Sequence, residues 1–287
     1  MNHLSGQRHK QSGDWGFFLV MGGISASFIL LIVLLLIADL LYTSVDDFWT
    51  AVRKPEVQAA FRLTLITCTL AAILSVVVAT PLAYLLARFK FPGRWIVDTI
   101  VDIPIVLPPL VLGLSLLILF HLPIGDTNLD QWLRDTLRLE ITFNWPAVVL
   151  AQFAVSCAFA VRTMRVTFEQ INPRAEDVAR TLGCSRAQAF LKVALPQARQ
   201  GIITAATISW ARALGEFGPI MVFAGSTRFR TEVLSVTVFL ELSIGQLDAA
   251  VAVSLIMVAM AIVVLLVLRY FGGAGLAEWT SNNKQHD

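Results

Sequence analysis

Long uncharged segments dominate this sequence and limit the folds that are open to it. A helix needs about 20 apolar residues to cross the hydrocarbon core of a bilayer. Five segments have 18–25 consecutive residues without Asp, Glu, Lys or Arg: 16–38, 63–87, 103–120, 141–161 and 249–268. A sixth, from about Gln197 to Ala224, is as long but contains Arg212 and Glu216. We therefore predict an all-α membrane protein with six transmembrane helices.

The composition supports this fold class. The chain is 56% apolar and 15% charged, whereas a soluble domain is about half apolar and about a quarter charged. Disordered, collagen-like, coiled-coil and disulfide-stapled folds are excluded, and the block pattern differs from the alternation of outer-membrane strands. Nucleic acid is not expected as a partner, because the sequence has no basic patch apart from the membrane boundaries. The three cysteines are far apart, so neither a disulfide nor a metal site is expected, and no cofactor is predicted.

Lys and Arg predict the orientation of the spans, because cytoplasmic loops carry an excess of both. Fourteen of the 22 lie on the side of the N-terminus, six on the other side and two within or beside spans. We expect both termini in the cytoplasm, with tails at 1–15 and 271–287 around a transmembrane domain at 16–270. The first span is too long for a cleaved signal and is expected to remain as an anchor. Short helices are expected in the outer segments, at 45–52 and within 122–140.

The cytoplasmic segment 172–196 predicts two short helices joined at a glycine. Asn172 can cap a helix that starts at Pro173, and carboxylates at Glu176 and Asp177 suit its first turn. Gly183 can supply a left-handed stop, and Ser185 can cap the second helix. Pattern alone leaves two interpretations open: a docking element for another protein, or a loop that joins two spans.

This segment resembles the cytoplasmic signature of ABC importer permeases, Glu-Ala-Ala followed by a glycine and then Ile-x-Leu-Pro. The matching residues are Asp177, Val178, Ala179, Gly183, Val193, Leu195 and Pro196, with Glu176 as an alternative acid. The resemblance implies a type I importer fold whose two coupling helices contact a dimer of ATP-binding cassette ATPases on the cytoplasmic side. The chain has no P-loop sequence, so we expect it to be a transport subunit and not an enzyme.

Two features are expected at membrane depth. Arg212 and Glu216 are four residues apart, on one helix face, and ionisable residues there usually line a cavity or pair together. Pro104, Pro108 and Pro109 should bend or break the third span. Both features can line a pathway, and both can equally be packing devices. The candidate pathway residues are Arg212, Glu216, Pro108, Pro109 and Ser115.

These stretches are also similar to one branch of the importers. Residues 211–225, ARALGEFGPIMVFAG, resemble the fifth-span signature of molybdate/tungstate and sulfate permeases, and VLPP at 106–109 and GEFG at 215–218 favour molybdate. Pro219 departs from that signature, where small residues are usual. The resemblance implies a homodimer in a bacterial or archaeal inner membrane, which receives a tetrahedral oxyanion from an extracytoplasmic binding protein.

Two rival functions remain. A membrane enzyme would need a catalytic constellation, but the four histidines lie at the termini or in a loop. Asp98 and Asp102 are four residues apart and could share a helix face, as a metal-dependent enzyme would need. We expect them instead near the inner interface, paired with arginines. A secondary transporter or channel would explain Arg212, Glu216 and the broken third span, but would leave the segment 172–196 without a role.

Overall fold

The computed structural model describes residues 14–125 and 127–283, which form a helical bundle. Its first half contains α1 (Asp14–Tyr42), α2 (Val45–Arg53), α3 (Pro55–Arg88), α4 (Arg94–Val106), α5 (Pro109–His121) and α6 (Leu129–Leu137). Strands β1 (Pro123–Ile124) and β2 (Thr127–Asn128) form a small antiparallel pair before α6. The second half contains α7 (Trp145–Gln170), α8 (Arg174–Thr181), α9 (Arg186–Ala189), α10 (Leu195–Gln197), α11 (Arg199–Leu214), α12 (Gly218–Phe223), α13 (Leu234–Ser243) and α14 (Leu247–Asn283). A π-helix, Phe190–Ala194, joins α9 to α10.

The all-α membrane fold is confirmed, but the predicted count of six spans is not. Among the described residues, four helices are long and apolar enough to cross a bilayer: α1, α3, α7 and the part of α14 at Leu247–Val267. The chain bends by 114° between α4 and α5, and the two helices make a fifth span if the pair is one broken span. Helix α11 has 16 residues, about 24 Å at 1.5 Å per residue. The fifth predicted span is therefore divided between α11 and α12.

Prolines explain the sharp bend between α4 and α5. Leu107 adopts an extended conformation at the end of α4, because a following proline disfavours helical geometry in the residue before it. Pro109 begins α5, where the missing N–H needs no partner. The prediction that prolines break this segment is confirmed, although Pro104 lies inside α4 without ending it.

Small residues let α3, α7 and α11 pack closely at the centre of the bundle. The buried alanines include Ala79 of α3, Ala160 of α7 and Ala205 of α11. Polar contacts also cross this interface: the Ser75 and Ser156 hydroxyls lie 2.9 Å apart. Small residues and interhelical hydrogen bonds stabilise helix association in a bilayer, where apolar burial gives little drive.

The peripheral elements agree in part with the expectations. Helix α2 covers the predicted short helix at 45–52, and α6 lies within the outer segment 122–140. Helix α1 has no buried residue at 16–42. Helix α14 continues to Asn283, so residues 271–283 of the expected C-terminal tail are helical. The expected N-terminal tail falls outside the described residues at 1–13, as do residues 284–287.

Candidate coupling and pathway sites

Segment 172–196 forms the two joined helices that its sequence predicts. Helix α8 begins at Arg174, one residue later than expected, and the Arg174 N–H donates to the Asn172 side chain at 3.0 Å. Gly183 has a φ of 93°, in the left-handed region. Its N–H donates to the Arg180 carbonyl at 3.1 Å, and the Cys184 N–H donates to the Ala179 carbonyl at 3.0 Å. This pair of bonds is a Schellman motif, which glycine favours because its backbone adopts positive φ without strain.

The second arm runs from Ser185 to Gln197. Ser185 and Gln188 form a capping box, in which each side chain accepts a hydrogen bond from the other residue's N–H. Pro196 has no N–H to donate to the carbonyl of Lys192, four residues earlier. The preceding turn widens into a π-helix, in which the Leu195 N–H donates to the Phe190 carbonyl. Pro196 therefore lies within the second arm, and the following long helix begins three residues later, at Arg199.

The two adjacent acids of α8 have opposite environments. Glu176 is 7% exposed, and its carboxylate accepts from the Tyr84 hydroxyl at 2.6 Å and from Arg88 Nε at 3.0 Å. Asp177 is exposed, and none of the side-chain hydrogen bonds or ion pairs found in residues 14–125 and 127–283 involves it. Glu176 therefore faces the bundle, and Asp177 faces outward.

Three large apolar side chains are exposed on this element among mostly polar ones. Val178, Leu182 and Leu191 are 57%, 80% and 58% exposed. Pro196 is also exposed, and Ala179 is half-buried. Exposed apolar residues with a polar rim suit a surface that binds another protein when they form one patch. We refer to Asp177, Val178, Leu182 and Leu191 as the docking surface.

Arg212 and Glu216 form the predicted ion pair at the end of α11. Arg212 lies in the last turn of α11. The helix is capped by Gly215, and Glu216 is the next residue. The Glu216 side chain is 1% exposed and that of Arg212 is 32% exposed. The Arg212 guanidinium also lies 5.7 Å from the centre of the Phe159 ring. The ion pair is one of the two arrangements that the sequence leaves open, and the Arg212 side chain is only partly covered.

The two interrupted segments of the chain pack on each other. A Cβ added to Gly113 of α5 would lie 2.6 Å from the Pro219 Cα, and one added to Gly218 would lie 3.3 Å from the Pro109 Cβ. The departure at Pro219 is therefore matched by a glycine on α5. Pro108, Pro109 and Ser115 are all exposed in the single chain. Glu216 and Pro109 thus belong to adjoining breaks, while the Ser115 hydroxyl makes none of the side-chain hydrogen bonds found in the described residues.

Sequence reasoning missed Tyr84 and Arg88, which hold Glu176. Arg88 was counted only as a cytoplasmic charge, although its place at the end of a span was a usable signal. The prediction for the two carboxylates of α4 is confirmed. Asp98 pairs with Arg165 at 2.7 Å and Asp102 with Arg162 at 3.0 Å, so both have the expected arginine partners.

A second charged cluster, at the opposite end of α3, was also missed. Arg228 lies 3.5 Å from Glu241 and 4.0 Å from both Glu56 and Glu232. Glu232 is 2% exposed, and within the described part of the chain neither of its carboxylate oxygens accepts a hydrogen bond. Burial raises the pKa of Glu232, and the nearby Arg228 opposes that shift.

Comparison with known proteins shows which family the chain belongs to. The sequence profile of the family described as "Binding-protein-dependent transport system inner membrane component" matches residues 79–274. The chain belongs to this family. It is 34% identical over 254 residues to the sulfate transport system permease protein CysT of Escherichia coli, covering 87% of this chain and 90% of that one. It is 32% identical over 231 residues to the molybdate/tungstate transport system permease protein WtpB of Thermococcus kodakarensis, covering 80% and 85%.

A solved structure supports the fold. A bacterial ABC transporter involved in the import of the acidic polysaccharide alginate has a chain that matches with a TM-score of 0.72 at 20% identity. The match covers 91% of this chain and 96% of that one. The protein is thus a permease subunit of an ABC importer, with the type I fold that the segment 172–196 implied.

Proposed function

We propose that this permease carries a tetrahedral oxyanion that a separate extracytoplasmic binding protein delivers. The relatives support the class of substrate, because one is named for sulfate and another for molybdate and tungstate. The sequence motifs favour molybdate or tungstate, but the sulfate permease is at least as similar to this chain. Sulfate is therefore an equal candidate within the same class.

Arg212 is the residue best suited to such a substrate. Its guanidinium combines a permanent positive charge with planar donors, which match the oxygens of an oxyanion. Glu216 neutralises part of that charge, so the attraction for an anion is weakened. A weak site favours transport, because a tightly bound substrate would leave slowly.

The docking surface supports ATP hydrolysis on a partner. Its apolar side chains lie outside the bundle and would be covered by the groove of an ATPase subunit, with Asp177 at the edge of the contact. When two ATPase subunits close on ATP, the two docked elements would approach each other and shift the bundle between inward-open and outward-open states.

The assembly that completes this proposal is a homodimer in the inner membrane, with both termini in the cytoplasm. The exposed apolar surface of α1 and the small number of spans support a pathway shared between two copies. The excess of Lys and Arg on the side of segment 172–196 supports the orientation. Cross-linking of the purified complex should give two permease copies, and a labelled cysteine at residue 177 should be accessible only from the cytoplasm.

Gly183→Trp tests the ATPase contact. Any L-residue in the left-handed region costs roughly 1–2 kcal/mol, and the bulky ring would also enter the docking surface. Gly245→Trp is the matched control, because Gly245 has a φ of 82° and both positions have open space within 4 Å. We expect both variants to insert and only Gly183→Trp to lose co-purification with the cognate ATPase. Retained ATP-dependent uptake in Gly183→Trp would contradict the proposal.

The substrate requires a separate experiment. Calorimetry of the cognate binding protein with molybdate, tungstate and sulfate should show tight binding of at least one of the three. Proteoliposomes that contain the complete transporter should then accumulate that anion only when ATP is supplied. If the binding protein binds none of the three, the oxyanion assignment is refuted, and accumulation without ATP would indicate a secondary transporter.

A further inference from the structure

We infer that Tyr84 and Arg88 connect the coupling element directly to α3, and that Glu176 is a positioning residue for transport through this contact. The inference rests on the proposed ATP-driven import. It differs from a docking role, because these three side chains face the bundle and not the docking surface. We call Tyr84, Arg88 and Glu176 the clamp.

The clamp is a compact, largely buried set of charge-assisted contacts. The Arg88 and Glu176 side chains are 12% and 9% exposed. Arg88 donates from two nitrogens of its guanidinium: Nε donates to Glu176, and Nη2 donates to the Ile171 carbonyl at 2.9 Å. Ile171 lies between α7 and α8, so one arginine of α3 holds both the start of the coupling element and its first helix. Hydrogen bonds to charged groups are stronger than neutral ones and hold a defined geometry.

Aromatic packing extends the contact to the second arm. The Tyr84 ring lies 4.6 Å from that of Phe190 in the π-helix and 5.4 Å from that of Phe168 in α7. Arg186 of α9 lies 5.8 Å from the centre of the Phe89 ring, just beyond α3. Both arms of the coupling element therefore meet the same end of α3, and a shift of either arm would displace it.

The covalent chain does not provide this connection. The coupling element follows α7 and precedes α11 in sequence, whereas Tyr84 and Glu176 are 92 residues apart. Without the clamp, movement of the coupling element would reach α3 only through the packing of α3 against α7 and α11. With it, the coupling element also contacts α3 directly; α3 has 34 residues and is about 51 Å long at 1.5 Å per residue.

The far end of α3 contacts the outer loop before α13. The Leu234 N–H donates to the Thr64 hydroxyl at 2.9 Å, and Arg228 lies 4.0 Å from Glu56. Helix α3, which continues through Pro81, therefore contacts the coupling element at one end and the charged cluster around Arg228 at the other. Packed side chains and continuous secondary-structure elements of this kind carry coupling between distant sites. The inference assigns α3 the transmission of the ATPase movement to the outer side.

The test compares uptake with ATP hydrolysis in the reconstituted transporter with its cognate ATPase and binding protein. Arg88→Gln removes the charge that holds Glu176, and Tyr84→Phe removes one hydroxyl with little change of shape. Lys90→Gln is the matched control, because it removes an exposed cation two residues beyond Arg88. The double variant Arg88→Glu/Glu176→Arg restores an ion pair with its charges exchanged.

We expect Arg88→Gln to assemble and hydrolyse ATP, but to transport about fivefold fewer anions per ATP, the lower end of the range typical of coupling between two sites. Tyr84→Phe should show a smaller loss, the exchanged pair should recover part of the ratio, and Lys90→Gln should match the wild type. An unchanged ratio in Arg88→Gln would overturn the inference. If Arg88→Gln does not assemble, Tyr84→Phe decides: an unchanged ratio refutes the clamp. Absence of ATP-dependent uptake in the wild type would instead refute the proposed function.

Discussion

Replacing Arg212 by glutamine separates the two roles that an ion pair at membrane depth can have. The Glu216 side chain is 1% exposed, so the substitution leaves a buried carboxylate without its cation. Breaking a buried pair in this way costs about 3–5 kcal/mol, and we expect the lower end because a third of Arg212 is exposed. At roughly 2–4 °C per kcal/mol for a chain of this size, the expected loss is about 6–12 °C in Tm.

Cys68 provides the assay. It is fully buried in the bundle core, so a thiol-reactive dye should label it only on unfolding. Replacing Cys157 by Ala and Cys184 by Ser leaves Cys68 as the one thiol of the chain. Heating the detergent-solubilised protein with the dye then reports unfolding of the bundle.

The double variant Arg212→Gln/Glu216→Gln distinguishes structure from transport. It removes both charges, so most of the lost stability should return. If Arg212 attracts the anion, ATP-dependent uptake should stay low although the double variant is stable. Recovery of both stability and uptake would show that the pair only fixes packing. An unchanged Tm in the single variant would refute the reasoning from burial itself.

Three further substitutions test other contacts. Gly113→Ala should lower the free energy of unfolding by an overpacking cost of about 1–3 kcal/mol, and Tm with it, because the Pro219 backbone blocks the added Cβ. Gly22→Ala has open space around its Cβ and should leave Tm unchanged. Glu232→Gln should raise the free energy of unfolding at pH 7. Burial raises the pKa of Glu232 in the folded protein, so the fold loses stability as the pH rises through that pKa and the carboxyl ionises; an unchanged Tm would contradict this. Burial acts to raise the pKa of Asp130, but hydrogen bonds from Thr142 outweigh it and hold that pKa low; Asp130→Asn should therefore lose stability at neutral pH and flatten its decline below about pH 4.

Local signals in the sequence predicted the coupling element closely. Gly183 and Ser185 specify their own backbone geometry, because a left-handed stop and an N-terminal cap depend on residues within four positions. The proline break between α4 and α5 was predictable for the same reason. The break within segment 197–224 was harder to predict, because the hydropathy of this segment matches that of a continuous span. In the structure the chain turns at Gly215.

Tertiary structure alone decided which acid of α8 faces inward. Glu176 and Asp177 are adjacent and chemically alike, so neither composition nor motif spacing distinguishes them. Their difference arises because Tyr84 and Arg88, some 90 residues earlier, lie beside one and not the other. Likewise, Pro219 departs from its family signature in sequence, and only the packing shows Gly113 opposite it.

The sequence by itself determined the membrane class, the breaks at prolines and the shape of the coupling element. These properties depend on hydropathy over about 20 residues and on backbone preferences over four or five. The folded chain decided the partners of Glu176, the buried charges around Arg228 and the packing of the two breaks. Such contacts join residues far apart in the chain, and the energy that selects them exists only after the helices have packed.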